Sequence, residues 1–264
     1  MRQEKPFIVF STFNNSISKL VKYASDYVVY DQSTIENWVR ENQLHNALKR
    51  TNIGHSLSNV FEYILENWDN LPDAITFLKA NVVPRHCDQE YFDLNINNKF
   101  YTHFYNDENV DLQEGINEIL FPGYYLEVNN SWYMERGHHS LFCTYDEFAS
   151  QVFKNYIPSK HVLFCPGACF TVTQNQVKKH PKELYRLLQF VVSYQFFPDE
   201  AYVVERILPS IFLGTYACHE DLEKVLTELK ERMLINNFTC EKHSSTKIPN
   251  RIFKKIKSSY RRKK

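Results

Sequence analysis

Two adjacent acidic residues, Asp199 and Glu200, are candidates for acid–base chemistry. They follow the apolar run Phe196-Phe197-Pro198 and precede a predicted helix. A carboxylate in such partly desolvated surroundings has a raised pKa and can accept a proton near neutral pH. Capping of the helix by Asp199 explains the same pattern, and the residues alone favour that simpler interpretation.

Other polar side chains occur at the ends or within the first turns of predicted elements. Glu205 precedes Arg206 in a predicted helix, and a buried ion pair between them explains both residues as well as chemistry does. Asp31 ends a predicted strand, where it either caps a turn or accepts hydrogen bonds from a ligand; the residue alone favours the turn. Gly54 precedes a helix whose unpaired N–H groups would favour an anion.

The spacing of the glycines excludes several nucleotide-binding motifs. The chain has six glycines, and no two lie closer than eight positions. The dinucleotide fingerprint, the P-loop and the nucleophile elbow each need two glycines within about five positions. The six cysteines form no C-x-x-C pair, so buried reduced thiols are favoured, and no H-E-x-x-H pattern predicts a hydrolytic zinc site.

Hydrophobic periodicity predicts an α/β fold in a single domain over residues 1–241, followed by a tail over 242–264. Strands are predicted at 7–13, 27–30 and 74–80, and helices at 16–24 and 56–67. Residues 82–135 read as irregular except for an extended piece near 124–128. A helix at 145–156, an extended pair at 161–173, helices over 174–194 broken at Pro181, and helices at 201–212 and 220–234 complete the prediction.

A set of short motifs resembles a family of glycosyltransferase-like domains. The motifs are Asn52-Ile53-Gly54-His55, Trp68-Asp69-Asn70-Leu71-Pro72-Asp73, Ile75-Thr76-Phe77-Leu78-Lys79, Pro166-Gly167-Ala168-Cys169-Phe170-Thr171-Val172, His180-Pro181-Lys182-Glu183-Leu184-Tyr185 and Val204-Glu205-Arg206-Ile207. Their order also resembles the wider GT-A class of nucleotide-sugar transferases. The resemblance implies a GT-A-like open sheet with a Rossmann-like nucleotide-binding half, helices on both faces and a helical C-terminal half.

The resemblance also implies roles for individual residues. The catalytic base would be one of three acids: Asp199, Glu200 or Glu205. The nucleotide sugar would be held by residues at strand ends and at a helix start: Thr12, Asn14, Tyr30, Asp31, Gly54, His55, Asn81 and Arg85. Gly167 and Ala168, being small, would let a donor or acceptor sugar approach the backbone; a tight turn that needs glycine explains them equally.

The expected metal motif is missing from its usual position. GT-A enzymes end the third strand in D-x-D, which binds Mn²⁺ or Mg²⁺ through carboxylate oxygens. Here Asn81 and Pro84-Arg85-His86 occupy that place. Either the later loop acid Asp88, with Asp93 and the weak candidate His219, holds a divalent cation, or Arg85 and the helix start near Gly54 stabilise the phosphates without one.

A formal net charge of zero hides a charged tail. The chain has 31 basic and 31 acidic residues, but residues 242–264 contain ten basic residues and no acid, which leaves −10 on residues 1–241. Ile252, Phe253, Ile256 and Tyr260 recur at helical spacing, so the tail reads either as a basic amphipathic helix that binds an anionic membrane surface or as a solvated disordered segment. The acidic body argues against a nucleic-acid partner.

The sequence therefore predicts a glycosyltransferase that moves a sugar from a nucleoside diphosphate donor, UDP being favoured, to a glycan or lipid-linked hydroxyl. The alternative is a catalytically inactive, membrane-associated sugar-nucleotide-binding or scaffold protein. No signal peptide or stretch of eighteen apolar residues occurs, so a cytoplasmic location, peripheral at the membrane, is expected.

Overall fold

The computed structural model describes residues 4–34, 47–106, 115–135 and 139–235. Its strands are β1 (Phe7–Thr12), β2 (Asp26–Asp31), β3 (Ala47–Lys49), β4 (Ala74–Lys79), β5 (Thr102–His103), β6 (Ile116–Phe121), β7 (Tyr124–Val128), β8 (His161–Phe164) and β9 (Phe170–Thr173). The predicted tail over 242–264 lies outside these ranges.

The helices concentrate in the second half of the chain. They are α1 (His55–Glu66), α2 (Val82–Arg85), α3 (Gln89–Asn95), α4 (Trp132–Glu135), α5 (Tyr145–Val152), α6 (Gln174–Lys178), α7 (Lys182–Ser193), α8 (Glu200–Phe212) and α9 (Leu222–Leu234). Short 3-10 turns lie at Val21–Tyr23, Trp68–Asn70 and Pro166–Ala168. No helix within the described residues is long and apolar enough to span a membrane.

The strands form two sheets, and the larger one is mostly parallel. Its order is β3-β2-β1-β4-β9-β5, in which β1 to β4 run parallel and β9 runs antiparallel to both of its neighbours. The smaller antiparallel sheet has the order β6-β7-β8. The predicted α/β class is confirmed.

Both faces of the large sheet are covered, as alternating burial along β1 shows. Ile8 and Phe10 pack into one core with Phe92 of α3, whereas Val9 packs into a second core with α1 and α7. Successive strand residues point to opposite faces, so strands this uniformly apolar require cover on both sides. Helices therefore lie on both faces.

The helix predicted at 16–24 is wrong, because only the 3-10 turn Val21–Tyr23 forms there. Short polar side chains in this segment bond to nearby groups instead of allowing helical hydrogen bonds to form. The Ser18 N–H donates to the Ser16 hydroxyl at 3.2 Å, and the Asn15 amide donates to the carbonyl of Phe13 at 2.6 Å. Such local bonds compete with the helix.

Two other predictions need correction. The extended pieces of residues 161–173 exist as β8 and β9, but they belong to different sheets and do not pair, because the chain turns at Gly167 with φ +95°. The predicted helix at 145–156 ends at Val152, since Phe153 becomes extended and bridges to Cys218. The break at Pro181 between α6 and α7 is confirmed.

Candidate functional site

A pocket of about 440 Å³ opens where β1 and β4 end. Its lining comes from the ends of these strands, the residue after β2, the segment before α2 and the last residue of that helix, the start of α1 with the segment before it, and one face of α8 with the segment before it. The residues are Ser11, Thr12, Phe13, Asn15, Gln32, Asn52, Gly54, His55, Ser56, Leu57, Lys79, Ala80, Asn81, Arg85, Phe197, Ala201, Tyr202 and Glu205. The volume lies within the range of about 300–1,000 Å³ typical of small-molecule sites.

The topology of the sheet explains the position of the pocket. After β1 the chain builds outward through β2 and β3, and then it crosses to the other side of β1 to form β4. A parallel sheet that changes direction in this way leaves a crevice at the carboxyl ends of the two central strands, where ligands bind. Ser11 pairs with Lys79 in register, and the Ala80 N–H donates to the Ser11 carbonyl at 2.9 Å.

The first turn of α1 presents backbone N–H groups to the pocket. Gly54 and His55 adopt left-handed conformations, with φ of 66° and 51°, and no side chain caps the helix. The first N–H groups of a helix have no partner within it, and they carry partial positive charge. Gly54, His55, Ser56 and Leu57 all line the pocket, so this helix end faces the ligand space.

A hydrogen-bonded network fixes α1 against the strand ends. The Asn59 amide donates to the Ser11 hydroxyl at 2.9 Å and to the Gln32 side-chain oxygen at 3.2 Å. Gln32 in turn donates to the carbonyl of His55 at 3.3 Å. Asn59 is fully buried and Gln32 nearly so, which makes this a rigid support for the floor of the pocket.

Glu205 is the acidic residue of the lining. It follows Ala201 and Tyr202 by one helical turn, so all three lie on the pocket face of α8. Burial raises the pKa of its carboxyl group, although the charges of Lys79 and Arg206 and the Gly167 N–H act in the opposite direction. A partly buried carboxylate with a raised pKa is suited to accept a proton.

Two cations line the same space. Lys79 is the last residue of β4, and Arg85 ends α2. Neither forms an ion pair with a carboxylate of the described residues. With one acid against two cations and a helix N-terminus, the lining favours an anionic ligand.

His55 contributes a neutral ring to this pocket. Desolvation, together with the charge of Lys79, lowers its pKa to about 4. The ring lies edge-on to Phe197, with 3.8 Å between the centroids, although part of the residue remains exposed. At neutral pH, His55 can therefore donate or accept a hydrogen bond but adds no charge.

Six of the residues predicted for the site line this pocket: Thr12, Gly54, His55, Asn81, Arg85 and Glu205. The others lie outside its lining: Asn14, Tyr30, Asp31, Asp88, Gly167, Ala168, Asp199, Glu200 and His219.

The residues at the end of β2, which were predicted to contact the nucleoside, make structural contacts and lie outside the lining. Asp31 is buried, pairs with Lys49 at 3.1 Å and accepts the Ser33 N–H at 3.0 Å. The Tyr30 hydroxyl donates to Glu66 at 2.6 Å. These groups hold the end of β2 to its surroundings.

Asn14 braces the same region by bridging from the end of β1 to the segment after β2. Its amide oxygen accepts the Thr34 N–H at 3.1 Å, and its amide donates to the Thr34 hydroxyl at the same distance.

Glu200, a predicted catalytic residue, lies outside the lining and makes structural contacts. Its carboxylate is fully buried and accepts the N–H groups of Ser140 and Leu141 at 2.7 and 3.1 Å and the hydroxyl of Tyr194 at 2.7 Å. Asp199 occupies the N-cap position of α8 but makes no capping hydrogen bond. Neither acid lines the pocket, whereas Glu205, one turn further along α8, does.

The ion pair between Glu205 and Arg206, which was the alternative interpretation of these two residues, does not form. The Arg206 guanidinium instead binds Glu127 of β7 through two hydrogen bonds of 2.6 and 3.0 Å. Glu205 is thereby left to face the pocket.

Gly167 and Ala168 support the pocket from outside its lining. The Gly167 N–H contributes a backbone hydrogen bond to Glu205. The turn packs closely on His86, because a Cβ on Gly167 would lie 3.3 Å from the imidazole Nδ1. Gly167 therefore acts on the pocket through Glu205, and the contact of Gly167 and Ala168 with a sugar stays a prediction.

The described residues do not fit a divalent cation in the pocket. Among them, no group of three or more His, Cys, Asp or Glu side chains could hold a metal ion. Asp88 caps α3 by accepting the Tyr91 N–H at 2.7 Å, and the His219 ring contacts the Ser150 carbonyl at 3.1 Å. The place of D-x-D holds Asn81, and Mg²⁺ and Ca²⁺ sites normally require at least one or two carboxylates.

Lys79 and Tyr202 are two of the twelve lining residues that the sequence did not identify as functional. A charged residue directly after the apolar run Ile75-Thr76-Phe77-Leu78 was the available signal, because polar residues at carboxyl ends of parallel strands commonly face ligands. Tyr202 carried no such signal, since it lies within a largely apolar helix.

Comparison with known proteins gives a family and no closer relative. No curated protein and no solved structure shows a significant match. The family described as "Protein of unknown function (DUF3431)" matches residues 16–228, which include every lining residue except those before position 16. The match covers most of the chain, and the protein therefore belongs to the DUF3431 family.

Proposed function

We propose that the pocket binds a nucleoside diphosphate sugar and that the protein is a glycosyltransferase with a GT-A-like organisation. The observation that carries this proposal is the meeting of four features in one cavity: the cations Lys79 and Arg85, the uncapped start of α1 and the single carboxylate Glu205. Glycosyl transfer needs a stabilised leaving diphosphate and a base for the acceptor, and these features supply both.

The diphosphate would lie between the strand ends and α1. There the N–H groups of the first helical turn point at the phosphate oxygens, and Arg85 approaches from the segment after β4. Arg binds phosphate in a bidentate geometry, and backbone N–H groups bind without any cost of side-chain ordering. Asn81 and the Thr12 hydroxyl add neutral polar contacts to the same wall.

The Glu205 carboxylate would act as the base. It takes the proton of the acceptor hydroxyl while the acceptor oxygen bonds to the anomeric carbon of the donor sugar. The bond between that carbon and the diphosphate oxygen breaks, and its electron pair leaves with the diphosphate. Glu205 then returns the proton to solvent. The raised pKa of Glu205 supports this role, because a stronger base accepts a proton more readily.

The acceptor in this proposal is a glycan or lipid-linked hydroxyl. Tyr202 and Phe197 form an aromatic wall beside Glu205, with ring centroids 6.0 Å apart, which suits the apolar face of a sugar ring. The basic tail would bring the protein to an anionic membrane that carries such an acceptor.

A panel of nucleotide sugars tests the proposal. The full chain is mixed with UDP-, GDP- and ADP-sugars, each with Mn²⁺ and with EDTA, and thermal unfolding and release of nucleoside diphosphate are measured. At least one donor is expected to raise the unfolding temperature and to be turned over, because a ligand that binds only the folded state stabilises it. Absence of any response to every donor under both conditions contradicts the proposal.

A sugar-nucleotide-binding or scaffold protein without turnover is the second candidate. The observation that favours it is that the described part of the chain gives the lining just one carboxylate, where the GT-A resemblance implies a metal-binding pair as well. Thermal stabilisation by a donor, combined with no release of diphosphate and no effect of Glu205→Gln on donor affinity, would support this alternative.

A further inference from the structure

We propose that the Lys79 ammonium takes the place of a divalent cation on the donor diphosphate, so that transfer proceeds without a metal ion. This inference rests on the proposed function, since it assigns a specific role within the same pocket. Four observations support it. The backbone of Lys79 is held firmly, and the charge of Lys79 acts on titratable groups around the pocket. Lys79 forms no ion pair with a carboxylate of the described residues, and the pocket lining does not suit a divalent metal ion.

The backbone of Lys79 is firmly held. Its N–H donates to the buried Cys169 Sγ at 3.4 Å, and the next residue, Ala80, donates to the Ser11 carbonyl at 2.9 Å. Leu78 before it is almost fully buried. The side chain therefore starts from a fixed point at the carboxyl end of a central strand, and only its methylene chain adjusts to a ligand.

The ammonium group acts on titratable groups around the pocket. Its charge opposes the rise in the pKa of Glu205, and it contributes to the lowered pKa values of His55 and His86. These three groups belong to α8, to α1 and to the end of α2, so the charge of Lys79 acts on three of the elements around the pocket. A phosphate entering this space would meet the Lys79 charge whichever wall it contacts.

No carboxylate of the described residues neutralises Lys79 through an ion pair. The residue is partly buried, and a desolvated charge without a partner costs free energy. Other lysines near acids in this protein do form pairs, as Lys49 does with Asp31 at 3.1 Å. An anionic ligand is the partner that the position of Lys79 lacks.

The lining also disfavours a metal cation directly. Among the described residues Glu205 is its only acid, and any cation bound there would be repelled by both Lys79 and Arg85. Hard divalent ions need several oxygen ligands, usually with at least one or two carboxylates. A positively charged side chain and a divalent ion would compete for the same phosphate oxygens, and the residues present favour the side chain.

This assignment predicts a larger effect on turnover than on binding. When the bond from the anomeric carbon to the diphosphate breaks, the electron pair stays on the diphosphate oxygen, which becomes more negative. Lys79 then binds the leaving group more strongly than it bound the donor, and only such a differential interaction accelerates the chemical step. The proton balance is unchanged, because the acceptor proton passes to Glu205 and Lys79 remains protonated.

The test compares the full-length protein with Lys79→Met and Lys79→Arg in EDTA and in Mn²⁺, using the donor found in the panel. Lys224→Met is the matched control, because it removes one positive charge from an exposed position on α9 outside the pocket. Calorimetry with UDP measures affinity, release of diphosphate measures kcat, and thermal unfolding verifies that each variant folds.

The wild-type protein is expected to turn over donor at equal rates in EDTA and Mn²⁺, within about twofold. Lys79→Met should lower kcat about 100-fold or more, a loss of the size seen when one transition-state donor is removed, and weaken UDP about tenfold. Lys79→Arg should retain part of the activity, and Lys224→Met should match the wild-type protein.

The outcomes separate the two proposals. Donor turnover that stops in EDTA, or a Lys79→Met variant with the wild-type kcat, overturns the role of Lys79 while the glycosyltransferase proposal stands. If UDP binds in EDTA in a way that depends on Lys79 but no donor is turned over, the result supports Lys79 as the diphosphate partner and contradicts the glycosyltransferase proposal. Failure of UDP and all donors to bind overturns both.

Discussion

The backbone of Gly54 lies directly against the carbonyl oxygen of Val192: a Cβ atom at Gly54 would be 2.3 Å from that oxygen. Gly54 also has φ +66°, a conformation that side-chain-bearing residues rarely adopt. The start of α1 is thus pressed onto the end of α7, and the Gly54 N–H donates to the Phe196 carbonyl at 3.4 Å. This contact fixes the place at which the first turn of α1 lines the pocket.

Gly54→Ala is expected to destabilise the protein by about 3 kcal/mol or more, which combines the strain of positive φ with that of overpacking against backbone. Gly214→Ala is the matched control: its φ is +70°, but the added Cβ would be 2.9 Å from the flexible end of Lys179. That variant should lose only about 1 kcal/mol. Urea unfolding measures both, and equal losses would contradict a specific role for the Val192 contact.

The buried pair of Glu127 and Arg206 gives a second prediction. Both side chains are fully buried, and Arg206 also lies 4.0 Å from the ring centroids of Tyr133 and Phe164. Glu127→Gln leaves a charged guanidinium without its counter-ion and is expected to cost about 3–5 kcal/mol. The double variant Glu127→Gln with Arg206→Met removes that charge and should be more stable than Glu127→Gln alone. Urea unfolding measures the stability of both variants. If the double variant loses the sum of the stabilities that the two single variants lose, the cost of Glu127→Gln does not come from an uncompensated charge.

Buried histidines predict a loss of stability in mild acid. Burial lowers the pKa of His103 to about 3 and also lowers that of His180. The His180 Nε2 lies 2.9 Å from the Ile211 carbonyl, so that nitrogen carries the proton, and Nδ1 lies 3.1 Å from the thiol of Cys218. The folded state therefore holds neutral rings, whereas the unfolded chain protonates near pH 6.5.

Since the unfolded state binds more protons below pH 6.5, stability must fall as the pH decreases from 7 to 5. Each histidine contributes a slope of up to about 1.4 kcal/mol per pH unit. Urea unfolding at pH 7, 6 and 5 measures the slope, and His180→Gln should reduce it whatever its effect at pH 7. A free energy of unfolding that is constant over this range would show that these rings protonate in the folded state.

The sequence predicted the central elements because their signals are local. The apolar runs that form β1 and β4 and the amphipathic stripe of α1 lie where periodicity indicates them, and Pro181 separates α6 from α7 as expected. These features depend on neighbours within a few positions, which a sequence displays directly.

The pairing of charges was not predictable in the same way. An ion pair with the adjacent Glu205 was one interpretation of Arg206, but its partner Glu127 is 79 residues away in β7 of the smaller sheet. The carboxylate of Glu200 binds N–H groups of Ser140 and Leu141, about 60 positions earlier. Which of the three candidate acids faces the pocket was therefore decided by long-range packing.

The basic segment 242–264 gives a prediction that concerns membranes. Its ten basic residues contrast with the −10 of the remaining chain. Each basic residue near an anionic surface contributes about 1 kcal/mol, so the full chain should sediment with liposomes rich in anionic lipid and release at high salt. A chain ending at residue 241 should not bind them and should keep its unfolding temperature. If both chains sediment with the liposomes, membrane binding depends on residues outside 242–264. If neither does, the protein does not bind these membranes.

Glu205→Gln tests the proposed base through both activity and stability. Loss of the proton acceptor should lower turnover by about 10²- to 10⁴-fold, with donor affinity nearly unchanged, because the amide keeps an oxygen for the Gly167 N–H. Wild-type turnover should fall as the pH drops through the raised pKa of Glu205, since the protonated acid accepts no proton. Glu228→Gln on the exposed face of α9 is the control.

The stability of Glu205→Gln should move in the opposite direction to its activity. Because the pKa of Glu205 is higher in the folded protein than its ordinary value of 4.5, the folded state binds more protons between these two values. Ionisation of Glu205 therefore lowers stability as the pH rises through that interval. The variant should unfold at an equal or higher temperature than the wild type at pH 7.5, and this advantage should vanish below pH 4.5, where both side chains are neutral. A variant that loses activity together with several degrees of stability at pH 7.5 would show that Glu205 holds the fold instead of serving the reaction.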